Sequence, residues 1–227
     1  MKDSNPFERE DIAVQWINSV ENEKGLLRDT ETYPRLNHWF NSTTKGDVLD
    51  IGAGQGIAST KISGYRHYTG VEPSLFLIER ARTLYEESGA RKFVQGDVYE
   101  LPFLDQSFDQ SFSINVWFHL EDIVKASQEM ARVLKIGGEF WIHTANGNES
   151  HIWKKFYINP TVDNKKIVGE LKLPVNNLSV NTFYFHKNKD IVETLERFGL
   201  RVTNVAGVRL KGKRNDVFMT IEGVRVR

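Results

Sequence analysis

The chain has 227 residues, 40% of them hydrophobic, with 30 basic and 30 acidic side chains and no cysteine. That length buries a substantial core and fits one elaborated domain. The zero net charge gives no electrostatic footprint for long nucleic acid, and the missing thiols exclude disulfides, a cysteine nucleophile and zinc–thiolate sites.

In chain order, the polar start MKDSNPFERED lacks the apolar core of a signal peptide, and no stretch approaches the roughly 20 apolar residues that span a bilayer. Residues 7–40 read as a mixed helical arm, with Ile12, Trp16, Ile17 and Val20 at near-helical spacing, most simply a packing helix. From residue 47 onward strand-like and helix-like patterns alternate, the order of an α/β architecture. The strands are expected at Asp47–Ile51, His67–Glu72, Lys92–Gln95, Gln110–Asn115 and Glu139–Ala145, with helix-sized segments between them. Ser74 is placed to cap Leu75–Glu87, and Glu121 and Asp122 open a helix that ends before Gly137-Gly138. The segment from about Asn146 to Tyr184 fits neither period and is long enough for a lid or binding loop. A final helix, Lys189–Phe198, precedes strands at Leu200–Arg209 and Asp216–Glu222, joined by the turn LKGKRN. The end of the sheet is therefore expected to be antiparallel. The basic run Arg209, Lys211, Lys213 and Arg214 belongs to that turn and is too small for an RNA-binding stripe.

Three short stretches carry chemistry. VLDIGAGQG, residues 48–56, turns out of the first strand with backbone N–H groups at the edge where open α/β sheets bind ligands. Its G-x-G-x-G spacing departs from the dinucleotide G-x-G-x-x-G, so it reads as a cofactor turn or as a structural one. GVEPS, residues 70–74, puts Glu72 and Pro73 at the end of the second strand, about 20 positions after Gly52, where an acid accepts from ribose hydroxyls. In GDVYELPFLDQSFD, residues 96–109, Asp97 either accepts from an exocyclic amine, with Val98 packed on a purine, or caps a local turn.

With EMARVLKIGGEFWI, residues 129–142, these stretches in this order resemble the class I S-adenosylmethionine-dependent methyltransferases, in their small-molecule bacterial branch. Two departures stand out: Ile136 replaces a common proline before the paired glycines, and the segment around Gly64-Tyr65 is short. The resemblance implies a doubly wound, mostly parallel seven-stranded sheet with its last strand antiparallel, plus the helical arm (1–44), a cofactor core (45–146), a lid insertion (147–185) and a C-terminal helix and hairpin (186–227). It implies S-adenosyl-L-methionine as cofactor. Asp50 and Gly52, Ala53 and Gly54 would hold its methionine part, Glu72 the ribose, Asp97 and Val98 the adenine, and Asn115 would lie beneath the sulfonium. In ENEKGLLRDTETYP, residues 21–34, Arg28 and Tyr33 would reach the same end, or else form a surface salt bridge and core packing.

The acceptor side is less patterned. Among six histidines, His119 in INVWFHLED is the candidate base, alternatively a structural residue at a helix entry. His143 lies within the fifth strand, while His151 and His186 flank the lid without metal-ligand spacing. Trp117, Phe118, Trp153, Phe156 and Tyr157 wall a substrate or simply pack. NVWF at 115–118 replaces the Asn/Asp-Pro-Pro-aromatic turn of nucleic-acid amino-methyltransferases, and no Tyr-x-x-x-Lys supports a dehydrogenase. The expectation is a cytoplasmic enzyme, monomer or homodimer, that methylates an O, N or C atom of a small molecule and uses neither metal, nucleic acid nor membrane. A catalytically silent binding protein on the same fold is the alternative.

Overall fold

The computed structural model describes residues 6–22, 27–43, 45–87, 89–163, 165–172, 178–209 and 214–227. Lys211 and Lys213, most of the LKGKRN turn, residues 23–26 of the arm and 173–177 of the lid lie outside the described residues.

The arm holds α1 (Glu10–Glu21) and α2 (Tyr33–Ser42), followed by β1 (Asp47–Ile51), β2 (His67–Glu72), α3 (Leu75–Tyr85), β3 (Arg91–Gln95), β4 (Phe108–Ile114), α4 (Ile123–Val133) and β5 (Leu134–Ala145). The segment after β5 contains a single helical turn, α5 (Ser150–Trp153), and the strands β6 (Tyr157–Val162), β7 (Lys166–Leu171) and β8 (Leu178–Tyr184). α6 (Asn188–Arg197), β9 (Leu200–Arg209) and β10 (Asp216–Arg225) complete the chain.

Seven strands form one sheet in the order β3-β2-β1-β4-β5-β10-β9, and β10 runs opposite to the other six. The resemblance to the methyltransferase fold implied this arrangement. β6, β7 and β8 form a separate antiparallel sheet, so the stretch that showed no clear period has strand structure of its own.

The chain's local signals explain the element boundaries. Ser74 Oγ accepts from the Leu77 N–H at 3.4 Å, and Asp122 Oδ1 accepts from the Lys125 N–H at 2.9 Å, so both predicted caps open their helices. Helix-sized segments were expected between successive strands, and two of those connections differ. After β1, Gly52, Gly54 and Gly56 have φ of 74°, 54° and 83°, outside the helical region, and only a 3-10 turn at Ile57–Thr60 follows. Between β3 and β4 the chain is held from α4 instead: the Arg132 guanidinium donates to the carbonyls of Leu101 (2.9 Å) and Phe103 (2.7 Å), and Glu129 accepts from the Leu101 N–H at 2.8 Å.

One face of the sheet packs Leu49, Phe140 and Ile221 against Ile123 and Met130 of α4 and Leu195 of α6. The other packs Val48, Tyr68 and Trp141 against Leu36 and Phe40 of α2 and Ile78 of α3. A third cluster seats Trp153, Tyr157, Ile167 and Phe183 of the β6–β8 region on Val208, Val217 and Phe218 of the main sheet. The crossovers from β1 and β4 leave the sheet in opposite directions, which opens a crevice beyond the carboxyl ends of these two neighbouring strands.

Candidate active site

A cavity of about 780 Å³ fills that crevice, within the usual range for a small-molecule site. Its floor comes from the carboxyl ends of the strands: Ile51 ending β1 with Gly52 and Gly54 after it, Glu72 ending β2 with Pro73 after it, and Ile114 ending β4 with Asn115 after it. One wall is Asp97, Val98 and Tyr99. The roof is Phe7 and Trp16 from the arm, and the far side is His119, with Thr182 and Tyr184 of β8.

Glu72 sits at the junction of two turns. Its Oε2 accepts from the Gly54 N–H at 3.1 Å and its Oε1 from the Ser74 N–H at 3.0 Å. The side chain is nearly fully buried, and burial pushes its pKa up to about 7 against the lowering effect of those two bonds, with the Glu8 charge adding to the rise. A carboxylate has about four lone-pair sites, so each oxygen keeps one for a diol. Asp50, one position before the end of β1, faces the core instead. It accepts from the Tyr68 hydroxyl, does not line the cavity, and is pushed by burial to about 7.

The glycine turn divides its labour. The N–H groups of Gly52 and Ala53 donate to the Val71 carbonyl at 2.8 and 3.0 Å, fixing the turn to β2, and Ala53 lies outside the cavity lining. Gly56 serves packing, since a Cβ there would approach Ala81 and Phe93 to 2.9 Å. Gly54 faces the ligand space, because a Cβ there would find only Trp16 Nε1, at 3.9 Å.

Asp97 lines the cavity and also closes a local turn, with Oδ1 accepting from the Tyr99 N–H at 2.9 Å. Asn115 has φ of 60° and its N–H donates to the His143 carbonyl at 2.8 Å. Arg28 and Tyr33 stand behind the lining. The Arg28 guanidinium lies over the Trp16 ring at 4.8 Å, and Tyr33 packs on the second core cluster, where burial raises its pKa to about 12.

His119 reaches the cavity. A carbonyl only accepts, so its 2.8 Å contact with the Thr182 carbonyl puts the ring proton on Nδ1 and leaves Nε2 as the acceptor. Burial pushes its pKa down to about 4, so the ring is neutral near pH 7. Trp117 is core, 1% exposed, with Nε1 donating to Ser113 Oγ at 2.9 Å. Trp153 belongs to the third hydrophobic cluster, His151 is exposed with Glu149 at 3.7 Å, and His186 donates from Nε2 to the Leu120 carbonyl at 2.5 Å. None of these four lines the cavity.

Sequence reasoning missed Phe7, Glu8, Tyr99, Thr182 and Tyr184, and assigned Trp16 to packing. Tyr99 adjoins Asp97-Val98 and was findable by adjacency. Thr182 and Tyr184 lie two apart on β8, a signal hidden while that segment had no strand assignment. Phe7 carries no periodic signal. Among the described residues no cluster of three or more His, Asp or Glu side chains is placed to hold a metal.

Sheet order and cavity together define a class I methyltransferase-type fold. Residues 49–142, somewhat less than half of the chain, match the methyltransferase domain family. A sterol 24-C-methyltransferase of Gibberella zeae is 30% identical over 131 residues, which cover 56% of this chain and 33% of that protein. An O-methyltransferase of Aspergillus nomiae is 34% identical over 137 residues, covering 58% and 61%. The matched region thus spans only a third to about three fifths of these curated relatives. The protein solved in complex with the Haloferax volcanii Trm112 methyltransferase activator superposes with a TM-score of 0.70 at 18% identity over 96% of this chain and 99% of that one, a likeness of fold.

Proposed function

We propose that the chain transfers a methyl group from S-adenosylmethionine to an O, N or C atom of a small molecule. The observation that carries the reading is Glu72: a buried carboxylate anchored by two main-chain N–H groups on the floor of a cavity in which Gly54 leaves room for a ligand. The donor set fits the cofactor. Glu72 would accept from the ribose hydroxyls, Val98 and Leu77 offer apolar surface for a purine, and the Asp97 carboxylate would accept from an exocyclic amine.

Bound there, S-adenosylmethionine supplies a methyl carbon made electrophilic by its sulfonium. The protein's part is to align the acceptor and keep water out, as the Phe7–Trp16 roof and β8 do, and to take up a proton where the acceptor carries one. His119 lines the same cavity and its Nδ1 is held by the Thr182 carbonyl, so its Nε2 is the acceptor suited to that proton. The β6–β8 sheet and the arm shape the acceptor space. The two curated relatives are named for transfer to carbon and to oxygen, so membership of the class leaves the atom open. In the described residues no helix is long and apolar enough to cross a membrane.

The test is calorimetric titration with S-adenosylhomocysteine beside NAD and NADP. Micromolar binding of the homocysteine compound alone supports the reading, and binding of NAD in its place overturns it.

A further inference from the structure

The buried imidazole of His143, in β5, has no part in the scheme above, yet it is wired to the cavity floor. It is fully buried, sandwiched between the rings of Trp141 (6.0 Å) and Phe218 (5.1 Å). Its Nδ1 lies 3.0 Å from Oδ1 of Asn115, and its Nε2 lies 3.4 Å from Oγ1 of Thr32, itself fully buried where the arm meets α2. An amide oxygen only accepts, so Nδ1 carries the proton. Nε2 then holds a lone pair, and the Thr32 hydroxyl donates to it. The hydrogen bonds therefore run in one direction, from Thr32 to His143 to Asn115.

That direction fixes what Asn115 shows to a ligand. With Oδ1 engaged by His143, the amide offers the hydrogens of Nδ2 to the cavity it lines. The backbone is set for the same end: Asn115 has φ of 60°, the left-handed region that asparagine tolerates best after glycine, and its N–H is tied to the His143 carbonyl at 2.8 Å.

We propose that His143 is a positioning residue that holds the Asn115 amide as a hydrogen-bond donor to an oxygen of the bound molecules. The inference rests on the methyl-transfer reading of the cavity. An amide N–H needs a lone pair opposite it. A hydroxyl or carboxylate oxygen has one to give even while another lone pair is engaged, whereas an attacking amine has a single lone pair and aims it at the methyl carbon. The recognised group is thus an oxygen, either the carboxylate of the cofactor's amino-acid end or the hydroxyl of an acceptor.

The direct test is nitrogen-15 NMR of the free protein labelled at histidine, which reads the tautomer without turnover. The expected result is a neutral His143 with its proton on Nδ1. A proton on Nε2 reverses the chain, turns the amide oxygen toward the cavity and overturns the proposal. Two variants then find the oxygen: His143→Phe keeps the ring stack and loses the hydrogen bonds, and Asn115→Asp keeps an acceptor for His143 but has no N–H to give. With thermal midpoints near wild type, a loss of tenfold or more in S-adenosylhomocysteine affinity in both variants places the oxygen on the cofactor. Affinity within twofold in both, with transfer to a hydroxyl acceptor slowed tenfold or more in both, places it on the acceptor, and affinity and transfer both within twofold overturn the proposal. A loss in Asn115→Asp with none in His143→Phe overturns the positioning role. Failure of the wild-type protein to bind S-adenosylhomocysteine would sink the methyltransferase reading and leave the tautomer result standing.

Discussion

The main-chain N–H of Gly54 donates to Oε2 of Glu72 at 3.1 Å, so the turn after β1 and the acid ending β2 are built as one unit. The two motifs, 18 residues apart in the chain, depend on each other: the glycine turn orients the carboxylate, and the carboxylate holds the turn open toward the ligand.

Replacing Glu72 separates binding from folding. Glu72→Gln keeps the size of the side chain and one acceptor oxygen but loses the second, so S-adenosylhomocysteine affinity is expected to fall at least tenfold in calorimetric titration. Stability moves the other way with pH. Burial raises the folded pKa of Glu72 to about 7 from 4.5, so the native state holds the extra proton between these values and wild-type stability from this group is lost as pH rises through 7. Glu72→Gln, which mimics the protonated acid, should therefore gain on wild type by roughly 2–3 kcal/mol between pH 4.5 and 7.5 in urea unfolding. A constant difference across that range would refute the assignment.

The glycines of the turn should respond differently to alanine. At Gly52, with φ of 74°, a Cβ would sit 2.3 Å from Val116 Cγ2, so Gly52→Ala is expected to cost about 2 kcal/mol or more in stability. At Gly54 the added carbon meets nothing closer than 3.9 Å, and the cost is about 1 kcal/mol for the left-handed backbone. Its methyl projects into the ligand space, so Gly54→Ala should weaken S-adenosylhomocysteine binding beyond its effect on the unfolding midpoint.

His119→Ala removes the proposed proton acceptor while leaving the floor intact. Transfer to a hydroxyl acceptor should slow by about 10²–10⁴, with S-adenosylhomocysteine affinity preserved. The folded pKa of about 4 means that the ring is already neutral at pH 5 and above. The wild-type rate profile should consequently show no acid limb from this residue between pH 5 and 7, and such a limb near 6.5 would mark a solvated imidazole.

His143 predicts the stability of the acid state. Burial, and then the charges of Arg28 and Arg35, depress its pKa to about 3, while the unfolded ring titrates at 6.5. Below 6.5 the unfolded state binds the proton that the native state refuses, so the stability tied to the neutral ring is lost as pH falls. The stability of His143→Phe relative to wild type should rise by roughly 2–3 kcal/mol from pH 7 to pH 4.5, measured by urea unfolding at both values.

The parts of this protein that were legible in the sequence are the ones whose signal is local. The period of buried strands, the caps Ser74 and Asp122, and the crowded glycines each follow from what a few neighbouring residues permit sterically, and they led to the resemblance and through it to the sheet. The same rules misjudged the crossover after β1, since three left-handed glycines leave too little chain for a helix. The β6–β8 sheet was illegible because its strands are stabilised by Phe218 and Val217 of a distant element rather than by their own alternation.

The sequence by itself determined the strands of the main sheet and which residues stand at the carboxyl ends of β1, β2 and β4, because strand-to-turn transitions are set by short-range backbone preferences. The tertiary structure alone decided which side chains meet there. Asp50 turns to Tyr68, Trp117 turns to Ser113, and Phe7 and Trp16 arrive from the far end of the chain to roof the cavity. Those outcomes depend on the packing of elements many residues apart, where burial and hydrogen-bond satisfaction across the whole fold choose a side chain's direction and no local pattern records the choice.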